Sequence, residues 1–212
     1  MHLVRCSYCG TAHDIEALEP SFRRPDAFLQ LAGDQAVQTR ESKDACALRA
    51  ADDSWRRFFL RVLVPFTVAG LDTPISWGAW VEVSEAQFER VSELWDHPSQ
   101  GDEPPFMARF ANATPLYGDT LTITGLVSLS DPSNVPTFHM LAPPDHIFVR
   151  EQRTGVSPSR AAEWLIPVYH PEWIVQQRIN QLVSQNAEKP QTTEEGRVSR
   201  TKRWWQWWRS DA

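Results

Sequence analysis

Two β-rich runs, Arg57-Phe-Phe-Leu-Arg-Val-Leu-Val64 and Ile75-Ser-Trp-Gly-Ala-Trp-Val-Glu-Val83, flank the turn formers of Gly70-Leu-Asp-Thr-Pro74. That arrangement predicts an antiparallel hairpin. It is followed at once by Ser84-Glu-Ala-Gln87, an S-x-x-Q capping box, with Phe88, Val91, Leu94 and Trp95 next at helical spacing. In such a box the first hydroxyl and the fourth side chain each satisfy a backbone N–H of the other's residue, so a helix must start there. Pro98 then closes it. A hairpin running directly into a helix excludes an all-α or a pure sandwich plan and points to α+β.

The remaining elements fit that class. Strands are predicted at Phe106–Phe110, Thr120–Leu129, Thr137–Leu141 and His146–Gln152, with Thr120-Leu-Thr-Ile-Thr124 alternating as a half-buried antiparallel strand would. Ser157-Pro158 supplies an N-cap with Pro at the first helical position, predicting a short helix to about Ile166. His170-Pro171 opens another, with Ile174, Ile179, Leu182 and Val183 on its apolar side. Residues 1–50 are rich in turn formers and read as loop. The expected organisation is one compact α+β domain over 1–183, with an antiparallel sheet, a few helices and an N-terminal zinc-knuckle-like loop segment. A polar, aperiodic linker (184–203) and a Trp/Arg-rich tail (204–212) follow.

Hydrophobic residues at 42% and charged residues at 23% exclude a disordered chain. The longest apolar stretch, Val62–Leu71, is too short to span a bilayer and contains Pro65. The N-terminus has no apolar segment of the kind a signal peptide needs. A cytoplasmic, reducing location is the expectation, so neighbouring cysteines are read as metal ligands or redox groups before disulfides.

The cysteines are three: Cys6, Cys9 and Cys46. Cys6-Ser-Tyr-Cys9-Gly10 is a metal knuckle in outline, since two thiolates spaced by two residues reach one tetrahedral ion. Adding His13 and Cys46 gives a closed Cys3His set for a structural zinc. Two other readings stand beside it: a redox pair at Cys6 and Cys9, or unligated thiols with Cys46 a small buried hydrophobe.

The order of motifs resembles an uncharacterised bacterial family, domain of unknown function 2199. The likeness rests on C-x-x-C-G-x-x-H at residues 6–13, Ser76-Trp-Gly-Ala-Trp-Val-Glu-Val-Ser84, Tyr117-Gly-Asp-Thr-Leu121, Pro144-Asp-His146 and Glu151-Gln-Arg-Thr-Gly-Val156. It covers about residues 3–168. It implies one α+β domain and the same Cys/His arrangement, with no activity to carry over.

Candidates for chemistry are His139, Asp145, His146, Glu151, Tyr117 and Asp119. No nucleophile elbow, H-E-x-x-H, P-loop or dinucleotide fingerprint is present. The enzymatic alternative is therefore a small hydrolase-like site using His146 with Tyr117 or Glu151. The competing reading has His146 and Tyr117 satisfying backbone groups near loop ends. Trp77 and Trp80, three apart on an extended run, are expected on opposite faces of the sheet.

The tail concentrates charge and aromatics. Residues 197–212 hold five cations against Asp211 alone, a net +4, which leaves −10 on the rest of a chain whose total is −6. Arg203, Trp204, Trp205, Trp207, Trp208 and Arg209 predict docking, either on an anionic membrane surface at the inner face or on a protein. Base stacking on nucleic acid ranks below both, because the acidic body opposes it. The chain as a whole reads as a zinc-stabilised, non-enzymatic binding domain with an unknown protein partner.

Overall fold

The structure is a computed structural model, and it describes residues 3–6, 9–14, 20–114, 116–132, 134–164 and 166. The helix expected after His170, the linker at 184–203 and the tail at 204–212 lie outside the described residues.

The elements run β1 (Leu3–Arg5), β2 (Ala12–Asp14), α1 (Asp26–Leu31), β3 (Val37–Glu41), β4 (Ala45–Ala50), β5 (Arg56–Phe66), β6 (Ile75–Val83), α2 (Glu85–Leu94), β7 (Phe106–Phe110), β8 (Thr124–Ser128), β9 (Thr137–Ala142), α3 (Ile147–Thr154) and α4 (Pro158–Glu163). The class is α+β. β1 and β2 form a separate two-stranded hairpin, and β3 to β9 form one sheet in sequence order.

The expected antiparallel sheet closes on itself. β5 also pairs β9, parallel, so β5-β6-β7-β8-β9 closes as a five-stranded barrel with β3 and β4 extending from it. The seam is sparse. Leu63 donates its amide to the Pro136 carbonyl at 2.8 Å, and the strands then diverge. Pro65 lies next along the same edge of β5, where its missing N–H costs no ladder bond.

Side chains sort cleanly by strand parity. Phe58, Leu60, Val62, Val64 and Phe66 of β5 join Trp77, Ala79 and Val81 of β6 in the main core, with Phe88 and Val91 of α2 and Phe148 of α3. Phe59, Trp80, Cys46 and Leu48 point the other way, into a smaller core under Phe28 of α1. Trp77 and Trp80 are thus on opposite faces, and both are buried. Gly78 between them lets the 20–22 segment approach: Phe22 N–H reaches the Gly78 carbonyl and Gly78 N–H the Pro20 carbonyl, each at 2.8 Å. A Cβ at 78 would meet that of Ser21 at 3.0 Å.

The capping box forms as expected, with Ser84 and Gln87 bonded reciprocally. Ser157 caps α4 with Pro158 inside it; α4 runs Pro158–Glu163, and Ile166 is again helical. Three expectations are corrected. Residues 1–50 hold α1, β3 and β4 as well as the hairpin, because Ala45–Ala50 buries nearly every side chain, on both faces. Thr120–Thr122 is a 3-10 turn before β8: buried Thr120 donates to the Asn112 carbonyl at 2.7 Å and accepts from Thr114 N–H at 3.2 Å, so its alternation is not that of a strand. His146–Gln152 is helical. The His146 ring accepts the Phe148 amide at 3.2 Å and starts α3, whose Phe148 and Val149 face the core.

Candidate metal centre

The β1–β2 hairpin carries the N-terminal donors. Val4 pairs His13 across it, so the two share a face, and Val4 packs on the main core. The turn is fixed by its own backbone. Gly10 N–H reaches the Cys6 carbonyl, and Cys6 N–H the Thr11 carbonyl, both at 2.9 Å. Gly10 has φ +73, which favours glycine. Arg5 donates to the Gly10 carbonyl at 2.7 Å.

Cys6, Cys9 and His13 are brought together, with their ligand atoms within 4.8 Å of one another. Cys9 Sγ lies 3.4 Å from His13 Nε2, and Thr11 N–H points at the same sulfur at 3.4 Å. A tetrahedral zinc bonded at about 2.3 Å to sulfur and 2.0 Å to nitrogen separates those donors by about 3.5 Å, so the pair has the right span.

Cys46 does not join them. It sits on β4 opposite Glu41 and Phe59, sealed in the smaller core. Burial pushes its thiol well above the usual range, against a small opposing effect of Arg24. Among the described residues the donor group is therefore Cys2His, and Cys46 matches the buried-hydrophobe alternative.

The candidates for chemistry are only partly assembled. Tyr117 donates to Glu151 at 2.5 Å and accepts from the Trp164 indole at 2.7 Å. Arg160 donates to the other Glu151 oxygen at 2.8 Å, pairs with Glu163, and stacks its guanidinium 4.9 Å from the Tyr117 ring centre. Burial and the neighbouring Glu151 carboxylate push the Tyr117 phenol far above its ordinary value, which keeps it neutral. The His146 ring is spent on the α3 cap instead. His139, Asp119 and Asp145 are exposed. Arg160 and Trp164 were not anticipated; nothing in their sequence neighbourhood ties them to Tyr117, although Arg160 follows the predicted cap Ser157 by one turn.

The run Glu151–Val156 has a different task, which is sealing the barrel. Gln152 Oε1 accepts from Met140 N–H at 2.7 Å and its Nε2 donates to the Phe138 carbonyl at 2.8 Å. Those groups alternate along the edge of β9 that faces β5. Val156 N–H reaches the Thr67 carbonyl and its own carbonyl accepts from Ala69, both at 2.9 Å, completing the edge of β5. Gly155 between them has φ +78, and a Cβ there would meet the Thr67 carbonyl oxygen at 3.0 Å. One short strap thus pairs both strands where they part.

These motifs coincide with a family model, described as an uncharacterised protein conserved in bacteria (DUF2199), that matches residues 5–156. The chain belongs to this family. The DUF2199 match takes in the hairpin donors, the Trp77–Trp80 crossing and the strap through Val156, and stops before α4. Comparison with curated proteins and with solved structures finds no match. No helix among the described residues is long and apolar enough to cross a membrane.

Proposed function

We propose that this DUF2199 protein is a non-enzymatic binding domain whose N-terminal hairpin is held by a zinc on Cys6, Cys9 and His13, completed by a fourth ligand other than these three, and whose basic Trp-rich tail is its docking element. The observation that carries the zinc reading is the 3.4 Å approach of Cys9 Sγ to His13 Nε2 beside Cys6. A hairpin this short has little core of its own, and a metal bound only by the folded form adds its binding free energy to folding. Binding is favoured over catalysis because the three groups of the enzymatic alternative, His146, Tyr117 and Glu151, are already engaged. Tyr117 and Glu151 are locked with Arg160 and Trp164, and His146 caps a helix.

Metal analysis of the purified full chain tests this. About one equivalent of zinc is expected, with a melting temperature that falls on chelation and recovers on re-addition. Less than about half an equivalent, or a melting curve indifferent to chelator, would overturn the zinc reading.

A further inference from the structure

The outer face of the sheet is covered on one half. Over β4 to β6, Phe22, Phe28 and Leu31 close on Phe59 and Trp80. Over β7 to β9 the corresponding face is open. Pairing places Met107, Leu126 and His139 in one row across the three strands, with Arg109 and Thr124 in the next, beside Leu141 at the β8–β9 irregularity. Met107 and Leu141 are each 50% exposed. Apolar side chains clustered on a solvent-facing sheet mark an interaction surface, and the flexible, polarizable Met107 thioether suits aromatic partners.

Beyond the strand ends this face is bordered by acidic residues, while exposed Arg150 and Arg153 lie on α3 beside β9. Exposed Asp102 and Asp131 flank the end where β7 begins and β8 finishes, and exposed Asp119 and Asp145 the other end. Arg109, the cation on the face itself, is matched by Glu82 at 2.6 Å. An apolar strip with an acidic border calls for an occupant that is aromatic and basic, and this chain carries one.

We propose that the outer face of β7–β8–β9 is the docking surface of the chain's own Arg203-Trp-Trp-Gln-Trp-Trp-Arg209 run. Four indoles match the strip around Met107, Leu126 and Leu141, and the tail's cations match the rim carboxylates. Reach is sufficient. The expected linker over 184–203, taken as a flexible coil, spans about 24 Å, and a domain of this size has a radius of gyration of about 15 Å. The proposal rests on reading the tail as a docking element, and it is independent of the zinc.

The methionines make the test direct, since the sequence has three: Met1, Met107 and Met140. In the full chain labelled with methyl-13C methionine, the Met107 methyl lies on the face and the Met140 side chain is buried inside the barrel. Indole ring currents should shift the Met107 signal upfield, independently of protein concentration. Substituting Trp204→Ala, Trp205→Ala, Trp207→Ala and Trp208→Ala together should return it to the position of a solvent-exposed methionine and leave Met140 in place. A Met107 signal that the substitutions do not move would overturn the proposal. So would equal movement of Met140, or a shift that grows with concentration, which would make a second copy the occupant. Co-sedimentation of the same two proteins with anionic vesicles separates the two readings: vesicle binding lost on substitution while Met107 does not move overturns this surface and leaves the tail a docking element.

Discussion

Tyr117 donates its phenol hydrogen bond to Glu151 across 2.5 Å while Arg160 holds the opposite carboxylate oxygen at 2.8 Å. The pair links the loop after β7 to α3 and α4 in a largely buried position, with the Glu151 and Arg160 side chains 14% and 22% exposed. Removing one partner of such a pair leaves the others desolvated and unpaired, which costs more than the pair contributes. Glu151→Ala should therefore lower stability by about 3–5 kcal/mol. Glu151→Gln keeps an acceptor for Tyr117 and should lose about 1–3 kcal/mol. Urea unfolding of the two variants against the parent checks both size and order.

The same phenol gives a pH signature. Its folded-state value is raised by burial and by Glu151, whereas in the unfolded chain a tyrosine titrates near about 10. Below that pH both states hold the proton and the contribution is intact. Above it the unfolded chain releases a proton that the folded chain keeps, so stability falls as pH rises. Tyr117→Phe should remove this component, giving a shallower alkaline decline in unfolding free energy between about pH 9 and 11. Equal slopes for the two proteins would refute the assignment.

The strap makes a local prediction. Gln152→Leu strips partners from Met140 N–H and the Phe138 carbonyl, and two orphaned groups should cost about 2–4 kcal/mol. Gly155→Ala forces a side chain into a conformation that glycine alone tolerates, at about 1–3 kcal/mol. Amide exchange distinguishes local opening from general loosening. In Gln152→Leu the Met140 amide should exchange faster by more than the change in global stability accounts for, while amides of the β5–β6 ladder follow the global value.

How much of this was legible beforehand depends on how local each signal is. The β5–β6 hairpin and the α2 cap are written in contiguous residues, and Ile75–Val83 and the Ser84–Gln87 box occur as read. The Cys6–His13 donors are close in sequence and close in space. Closure of the barrel is not local: it depends on Leu63 meeting Pro136 and on Gln152 standing in for a strand, contacts that no periodicity encodes. The β-branched and aromatic Ile147-Phe-Val149 reads as strand, and a histidine cap outweighs that propensity. Cys46 enters the expected metal set only as the remaining thiol. Its own surroundings, Ala-Cys-Ala-Leu on a strand buried on both faces, are those of a packing residue.

Cys46 also supplies the sharpest separation of metal from core. If zinc is held by the hairpin donors, Cys9→Ser should abolish binding of the equivalent, because a hydroxyl is a poor zinc ligand and the N–H of Thr11 would lose its thiolate. Cys46→Ala should retain the full equivalent. Its cost should appear as stability alone, about 1 kcal/mol, since a small apolar group is lost beside Phe28, Phe59 and Trp80 and a modest void is left. Cys46→Ser should cost more than Cys46→Ala, although it is the closer isostere, because it buries a hydroxyl among apolar neighbours. A ligand role at 46 would give the opposite pattern, with zinc lost in both variants and chelator without further effect on either. Zinc content and urea unfolding of the three proteins, measured side by side, decide between these outcomes.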